Sequence, residues 1–351
     1  MNKKFLLPIF AMCVMLMAWF AIFGSSMLAP PPGDVSIAIT GDVMFARNMG
    51  GVLADGESPF KGVSNVTSTV DILLINFENA ATNSDSAVKS DVPLKCDPSF
   101  VPLAHENNIT VAALANNHIF DYGVTGMRDT LKYLKDANIS YLGVGENESE
   151  AHQGITIEVN NRNVTIFNFM DADNFAEYSY EQIPYANGSM PGYSAYDSEV
   201  AEKLISEAKS KGDIVIVFMH YGNEYSTSPN DAQKGISHEV IDFGADVVVG
   251  SHPHVVQGVE MYNGKPIFYS LGDFVFDLQR EGTLDSYFVQ IDFVNDTGHC
   301  TIYPVHLENY LPYFDNAEEG TNLLNSLSPQ CSDMKIENGV GTLDFNLTNG
   351  D

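Results

Sequence analysis

From Val35 onward the chain carries a series of short apolar runs rich in β-branched residues, and this series constrains the fold more than any other feature. The runs are nearly continuous, as is typical of strands buried on both faces, and stretches with helical patterning separate them. They cover residues 35 to 40, 72 to 76, 111 to 115, 139 to 144, 214 to 219 and 247 to 249. The pattern predicts an α/β protein in which helices cover the sheet.

Other apolar segments have the pattern of hairpin strands, at residues 154 to 159, 164 to 168, 266 to 271 and 286 to 293. Asn-Arg-Asn at 161 to 163 and Gly264 supply turns between some of them. After Phe314 the chain becomes acidic and polar. We therefore expect a single domain at residues 34 to 314, and residues 315 to 351 as either a loosely packed acidic tail or a small edge addition.

The amino terminus has the pattern of an export segment. Lys3 and Lys4 precede an apolar run from Phe5 to Phe23, and prolines follow at positions 30 to 32. The run is as long as a membrane-spanning helix, which favours an uncleaved anchor within residues 1 to 33, although a cleaved signal peptide remains open. Both alternatives place the domain outside the cytoplasm, either on a single-pass anchor in the cell membrane or as a secreted protein.

The charge balance excludes one class of partner. The chain has 46 acidic and 17 basic residues, so its formal net charge is −29. Such a surface repels nucleic acid, because proteins bind nucleic acid largely through Lys and Arg contacts with phosphate. We therefore expect no nucleic-acid binding, and we expect cations or salt to screen any contact with an anionic polymer.

Three cysteines lie beyond the amino-terminal apolar run. In an exported protein Cys300 and Cys331 can form a disulfide, which leaves Cys96 as a free thiol. The sequence alone does not fix the pairing, so both the bonded and the free state remain open.

Polar side chains directly follow five of the strand-like runs. Because sites in open α/β sheets form beyond the carboxyl ends of the strands, we expect these side chains to lie close together. They are Asp42, Glu78, Asn116 to His118, His220, and His252 with His254. Imidazole nitrogens and carboxylate oxygens together suit Zn, Mn, Fe and similar divalent ions. The sequence predicts a site for one or two such ions, with Asp42, Glu78, Asn117, His220, His252 and His254 as ligands.

The spacing of two histidines supports a shared site. His252 and His254 are two residues apart, so on an extended segment their side chains point the same way. Pro253 between them removes a backbone donor and stiffens the segment. We therefore expect both imidazoles to face the same ion.

Six motif strings appear in order along residues 39 to 274. They are Ile-Thr-Gly-Asp-Val-Met (39 to 44), Asn-Phe-Glu (76 to 78), Ala-Asn-Asn-His (115 to 118) with Asp121 and Gly123 following, His-Tyr-Gly-Asn-Glu (220 to 224), Gly-Ala-Asp-Val-Val-Val-Gly-Ser-His-Pro-His (244 to 254) and Tyr-Ser-Leu-Gly-Asp-Phe (269 to 274). The series resembles the capsule synthesis protein CapA family, whose members act in poly-γ-glutamate synthesis and export. That family is similar to the calcineurin-like metallophosphoesterases, which implies a β-sandwich flanked by helices and a site that usually holds two metals.

The resemblance also implies roles for individual residues. Asp42 matches the first metal-binding aspartate, and Glu78 stands where a bridging carboxylate would lie. His118 matches the histidine of an Asn-His pair, which implies a proton donor oriented by Asp121 rather than a metal ligand.

Two positions depart from the family pattern. Met44 stands where the phosphoesterases have a histidine, and a thioether is a poor ligand for these ions, so one of two metal sites would lack a ligand. Asp273 stands where CapA-like chains commonly have Asn. It either adds a carboxylate to the site or caps a turn, and the turn is favoured.

Four further residues are candidate substrate contacts. Arg47 and Lys95 can attract an anionic substrate because positive charge is scarce in this chain, although surface solvation explains them equally well. Asn116 and Glu224 lie within the motif strings, next to predicted ligands or close to them.

Two functions remain open. The first is a membrane-tethered, metal-dependent hydrolase of phosphoester or amide bonds in the cell envelope. The second is a metal-holding subunit of a polyglutamate synthesis and export complex, which binds the anionic polymer or partner subunits without turnover. The Asn-His pair beside the ligands favours the enzyme, whereas Met44 favours the subunit.

Overall fold

A computed structural model describes residues 33 to 89, 91 to 172, 179 to 329 and 331 to 348. The predicted membrane anchor falls almost entirely in residues 1 to 32, outside the described residues, and stays a prediction. Within the described ranges, none of the helices is both long enough and apolar enough to span a membrane.

The described residues form strands and helices along the whole chain. The strands are β1 (Val35–Val43), β2 (Ile72–Phe77), β3 (Ala80–Ala81), β4 (Lys95–Cys96), β5 (Val111–Ala113), β6 (Ser140–Leu142), β7 (Val144–Gly145), β8 (Ile155–Val159), β9 (Arg162–Met170), β10 (Gly192–Tyr193), β11 (Ile214–His220), β12 (Val247–Ser251), β13 (Val259–Tyr262), β14 (Lys265–Phe268), β15 (Asp273–Val275), β16 (Asp285–Val294), β17 (Thr297–Glu308), β18 (Leu311–Phe314), β19 (Lys335–Glu337) and β20 (Val340–Asn346). The helices are α1 (Arg47–Ala54), α2 (Ser64–Thr67), α3 (Val101–Glu106), α4 (Gly123–Asp136), α5 (Glu148–His152), α6 (Ser198–Ser210), α7 (Asp231–Asp242) and α8 (Ala317–Leu327), with a short 3-10 helix at Pro98–Phe100.

The larger sheet has the strand order β19, β20, β17, β16, β1, β2, β5, β6. Strands β1, β2, β5 and β6 run parallel, whereas β16, β17, β20 and β19 pair antiparallel. Strand β15 lies beside β1 in parallel, and its register sets Asp273 opposite Asp42. The carboxyl ends of β1, β2 and β15 therefore meet at one edge of the sheet.

The smaller sheet has the order β13, β14, β12, β11, β9, β8. Its four inner strands are parallel, and the hairpins β8–β9 and β13–β14 close its two edges. Two-residue strand pairs form separately between β3 and β4 and between β7 and β10.

The two sheets pack face to face between layers of helices. Alternate residues of β11 show this arrangement: Ile216 belongs to the core shared by both sheets, with Ile37 of β1, whereas Val217 packs outward with Ile205 of α6. On the outer face of the larger sheet, α1 and α4 cover a second apolar cluster. The predicted mixed α/β organisation with sheets flanked by helices is confirmed.

The acidic stretch after Phe314 folds as an addition to the larger sheet. Asn316 caps the amino terminus of helix α8, because its side chain accepts hydrogen bonds from the backbone N–H groups of Glu318 and Glu319. Strand β20 pairs with β17, and Leu324 and Phe345 are buried in the core between the sheets. Buried apolar residues at alternate positions of β20 explain why this acidic segment packs.

The three cysteines of the described residues are free thiols, so the disulfide that the sequence allowed between Cys300 and Cys331 is not formed. Both lie in the core between the sheets. Burial raises the pKa of each thiol, which disfavours the thiolate that disulfide chemistry requires. Cys96 is buried elsewhere and accepts a hydrogen bond from Asn79.

Candidate metal centre

The candidate centre lies where the carboxyl ends of strands from both sheets meet. Asp42 belongs to β1, Glu78 follows β2, and Asn117 and His118 follow β5 in the larger sheet. His220 ends β11, and the segment after β12 supplies His252 and His254 from the smaller sheet. The sandwich thus brings together in space the polar side chains that follow separate strands in the sequence.

Three carboxylates, those of Asp42, Glu78 and Asp273, are fully buried in the centre. Asn76 connects two of them, because its Nδ2 donates to Asp42 Oδ1 at 2.7 Å and to Glu78 Oε2 at 3.0 Å. The side-chain oxygen of Asn76, Oδ1, in turn accepts from Asn116 Nδ2 at 3.0 Å. Asn76 is a residue that the sequence interpretation missed, although it stands in the motif string that supplied Glu78.

The histidines surround these carboxylates. His220 Nε2 lies 2.9 Å from Asn117 Oδ1, and its Nδ1 lies 3.1 Å from the Ser251 hydroxyl. His254 Nδ1 lies 2.8 Å from Asp273 Oδ1 and 3.6 Å from Asp42 Oδ2.

His252 adopts a backbone conformation that the sequence interpretation did not anticipate. Its ring centre is 4.7 Å from that of His220, and its backbone N–H donates to Asp42 Oδ2 at 3.3 Å. The expectation of an extended segment was wrong, because His252 and His254 have φ values of +100° and +58°. Non-glycine residues seldom adopt such values, and strained residues of this kind concentrate at functional sites.

The position of Asp273 also differs from the one that the sequence favoured. A turn-capping role is expected from the sequence, whereas the structure places the carboxylate beside His254 and opposite Asp42. The pairing of β15 with β1 causes this, and the sequence separation of those two strands hid it.

Two groups of these side chains have the geometry of a metal site. In the groups Asp42, Glu78, His220 and Asp42, His254, Asp273, each residue offers one ligand atom that lies within 4.8 Å of those of the other two. Glu78 Oε1 and Asp273 Oδ2 are buried, and within the described ranges neither accepts a hydrogen bond. Buried carboxylate oxygens without a donor are costly, and a cation between them and the imidazoles would satisfy both. The donor set therefore fits one or two divalent ions that share Asp42.

Proton affinities in the centre are strongly perturbed. Burial, followed by the charges of Asp42 and Asp273, raises the pKa of Glu78 well above its usual value. Burial opposes protonation of His254, but the carboxylates of Asp273 and Asp42 outweigh it and raise the pKa of this histidine. Burial and the other histidines lower the pKa of His220 well below its usual value, which keeps it neutral and able to bind a metal.

His118 forms a dyad with Asp121. Its Nδ1 lies 2.7 Å from Asp121 Oδ2, which also accepts from the Leu94 backbone N–H at 2.6 Å. A carboxylate can only accept, so Nδ1 of His118 carries the hydrogen and Nε2 is left facing Glu78 Oε1, 4.0 Å away. Burial lowers the pKa of His118 despite the opposing charge of Asp121. The arrangement holds one ring nitrogen toward the centre for proton transfer.

A cavity of about 200 Å³ opens over the centre. Its lining includes His118, His254 and two predicted substrate contacts, Arg47 and Glu224. Two lining residues that the sequence interpretation missed are Tyr225, next to Glu224 in the chain, and Lys89, which lies outside every motif string.

Two of the predicted substrate contacts lie elsewhere. Asn116 is fully buried and uses its whole amide on the framework, donating to Asn76 and to the Phe77 carbonyl and accepting from two backbone N–H groups. It therefore has no atom left for a substrate. Lys95 points to the Ser84 carbonyl and to Asp85, at 2.7 and 2.8 Å, and does not line the cavity. In both cases the motif or the charge suggested substrate contact, but local hydrogen bonds already engage the side chain.

Met44 contributes no atom to the groups described above. Its side chain is fully buried in the apolar cluster under α1, and its sulfur accepts from the Ala46 backbone N–H at 3.0 Å.

Comparison with known proteins shows the family. The family model described as bacterial capsule synthesis protein PGA_cap matches residues 36 to 278. The PGA biosynthesis protein CapA of Bacillus subtilis is 34% identical over 322 residues, covering 89% of this chain and 82% of that protein. The capsule biosynthesis protein CapA of Bacillus anthracis is 32% identical, covering 79% and 69%. A probable polyglutamine synthesis accessory protein of Mycobacterium tuberculosis is 30% identical, covering 75% and 74%.

Among solved structures, Vps29 of Chaetomium thermophilum aligns with 80% of this chain and 96% of its own at 11% identity. Its TM-score of 0.31 is too low to support a functional comparison. The family match, at residues 36 to 278, instead covers the strands and loops that build the candidate centre. The chain therefore belongs to the bacterial capsule synthesis protein PGA_cap family, which comprises accessory proteins of capsule and poly-γ-glutamate biosynthesis.

Proposed function

We propose that this chain holds one or two divalent metal ions, of Mn, Zn or Fe, in a metallophosphoesterase-like centre. The ligands are Asp42, Glu78, Asn117, His220, His252 and His254, to which we add Asp273. The proposal rests on two buried oxygens, Glu78 Oε1 and Asp273 Oδ2, which accept no hydrogen bond within the described ranges. Both belong to carboxylates next to His254, whose Nε2 lies 3.9 Å from Glu78 Oε1 and whose Nδ1 lies 2.8 Å from Asp273 Oδ1. Without a cation, three buried carboxylates this close together are unfavourable.

The proposed activity is hydrolysis of a phosphoester or amide bond. A bound divalent ion would lower the pKa of water and neutralise charge that develops on the scissile group. The chain's own contribution is proton transfer at His118 Nε2, with Asp121 fixing the ring through Nδ1. Burial lowers the pKa of His118. The protonated ring, which can donate to a leaving group, therefore forms at a more acidic pH than in an ordinary histidine.

The biological setting of this activity follows from the relatives and the amino terminus. Their names refer to PGA biosynthesis, capsule biosynthesis and polyglutamine synthesis, so we propose an envelope substrate and association with subunits of a polyglutamate synthesis and export complex. The apolar run at residues 5 to 23 supports tethering to the cell membrane with the domain outside the cytoplasm.

A second candidate function is a metal-holding subunit without turnover. The name of the mycobacterial relative, a probable polyglutamine synthesis accessory protein, favours it. It shares the metal centre with the first proposal and differs only in the role of His118, so one set of variants separates the two.

The test combines metal analysis with a hydrolysis screen. The full-length protein is loaded with Mn, Zn or Fe and assayed on p-nitrophenyl phosphate, bis-p-nitrophenyl phosphate and a γ-glutamyl anilide. We expect turnover that His252→Ala abolishes together with metal binding. His238→Ala is the matched control, because His238 lies on α7 and contacts Glu260 and Tyr262, away from the centre. Bound metal without turnover on any substrate would select the subunit, and absence of bound metal would contradict both functions.

A further inference from the structure

Lys89 is a buried cation at the wall of the cavity over the centre. Its side chain is only 4% exposed, although it lines a space open to solvent. Its Nζ lies 3.4 Å from the Asn117 carbonyl oxygen and 3.9 Å from Asp121 Oδ1. The carboxylate of Asp121 offsets part of the cost of burying this ammonium, and Lys89 thereby places a positive charge in the cavity wall next to the His118–Asp121 dyad.

The positive charge of Lys89 acts on three histidines of the centre. Burial is the main cause that lowers the pKa values of His118, His220 and His252, and the charge of Lys89 adds to the effect at all three. Lys89 therefore lies within electrostatic reach of both the proton-transfer dyad and the ligand histidines.

A second cation, Arg47, lines the same cavity and is held in place. Its guanidinium forms an ion pair with Asp277 and lies 5.7 Å from the centre of the Phe276 ring. These contacts fix the side chain at the cavity wall before any ligand arrives, which lowers the entropic cost of binding.

Four carboxylates lie near this pair of cations: Asp121 beside Lys89, Asp277 beside Arg47, and Asp91 and Glu224 at the cavity mouth. Asp91 and Glu224 also line the cavity, but both are exposed, so water and salt screen their charges. The charge of Lys89 is shielded from water and acts at a lower effective dielectric. A ligand in the cavity thus has two cations in the wall around it, Lys89 from the buried side and Arg47 from the half-exposed side.

We propose that Lys89, assisted by Arg47, forms an oxyanion-binding subsite that takes a phosphate or carboxylate group of the ligand beside the metal centre. Calling that ligand a substrate rests on the proposed hydrolase function, but the binding itself does not. Both anions offer the same chemistry, two or more oxygens that accept charge-assisted hydrogen bonds. The subsite makes the protein selective for acidic ligands despite its net charge of −29.

The test measures binding of two probes to the full-length, metal-loaded protein by titration calorimetry. Inorganic phosphate represents a phosphoryl group, and γ-glutamylglutamate represents a carboxylate oligomer. Lys89→Gln keeps a donor for the Asn117 carbonyl but removes the charge, Lys89→Met removes both, and Lys89→Arg keeps the charge. The control is Lys95→Met, because Lys95 belongs to the same part of the chain but contacts Ser84 and Asp85 outside the cavity.

We expect Lys89→Gln and Lys89→Met to weaken binding of at least one probe by about tenfold or more, the loss typical of one charged hydrogen bond. Lys89→Arg should bind more tightly than Lys89→Gln, and Lys95→Met should bind like the wild-type protein. Metal content, measured in parallel, should be equal in all variants. Should Lys89→Met fail to fold, Lys89→Gln decides the question alone.

The outcomes separate this inference from the proposed hydrolase. Loss of probe binding in Lys89→Gln supports the subsite even if the wild-type protein hydrolyses nothing, in which case only the hydrolase proposal fails. Loss for phosphate alone identifies a phosphoryl ligand, and loss for γ-glutamylglutamate alone identifies a carboxylate polymer. Equal affinity of Lys89→Gln and Lys95→Met for both probes would overturn the subsite.

Discussion

Asp273→Asn should stabilise the metal-free protein while weakening its response to metal. The substitution keeps an oxygen that can accept the hydrogen bond of His254 Nδ1, which lies 2.8 Å from Asp273 Oδ1. It removes one negative charge from a site in which Asp42, Glu78 and Asp273 are all fully buried. It also replaces Asp273 Oδ2, which accepts no hydrogen bond within the described ranges, with an NH₂ group that can donate to a neighbouring carboxylate.

The magnitude follows from this unsatisfied oxygen. A buried polar atom without a partner costs about 1–3 kcal/mol, and a charged one costs more. The entropy of unfolding is about 2.1 cal/mol/K per residue, so for roughly 300 folded residues a gain of about 1–3 kcal/mol raises Tm by about 2–5 °C. Loss of a carboxylate at the ion weakens metal affinity by about 10–100-fold, which reduces the metal-induced rise in Tm by about 2–4 °C.

The assay is calorimetric unfolding above neutral pH, after chelation and again with added Mn. Asp246→Asn is the matched control, because Asp246 is also fully buried but binds Lys209 and Lys265 at 2.7 and 2.8 Å. Breaking that satisfied cluster should cost about 3–5 kcal/mol and leave the metal response unchanged. If Asp273→Asn lowers the metal-free Tm as the control does, and responds to metal like wild type, the account of the centre is refuted.

Three other changes give independent outcomes. His118→Ala should abolish hydrolysis with metal content unchanged, whereas His238→Ala should affect neither; equal activity of the two variants would remove His118 from the mechanism. Asn76→Ala should lower the metal affinity, and it should lower the free energy of unfolding by about 3 kcal/mol, because two hydrogen bonds to carboxylates are lost. An unchanged midpoint in a denaturant titration would contradict this. The raised pKa values of Glu78 and Asp273 mean that protons compete with metal at the centre, so metal affinity should fall as pH is lowered below neutrality; a constant affinity over that range would show that these carboxylates do not bind the ion.

Much of the fold could be predicted because it rests on local patterns. The β-branched runs predicted the buried strands β1, β2, β5, β11 and β12, and the two apolar segments flanking the turn at 161 to 163 predicted the β8–β9 hairpin. The partition of these strands into two facing sheets could not be read from periodicity, because strands buried on both faces look alike in either sheet. Only the family resemblance indicated a sandwich.

The candidate centre shows the same division between local and long-range information. Residues at strand ends, such as His220, were visible because each directly follows a strong apolar run. Asn76 was missed because its role depends on two carboxylates that converge only in the folded sheet, and Lys89 because its loop has no motif. Lys95 shows the limit of an argument from charge alone, since its side chain bonds to Ser84 and Asp85 and does not line the cavity.

The metal content of the full-length protein tests the central claim most directly. The wild-type protein and the variants His252→Ala and His238→Ala are each incubated with Mn, Zn and Fe. Unbound ions are removed, and the bound metal is measured by elemental mass spectrometry. We predict one or two ions per chain in the wild-type protein and in His238→Ala, and a marked loss in His252→Ala. Wild-type protein that is folded but retains no ion would contradict the claim, as would retention that is the same in all three proteins.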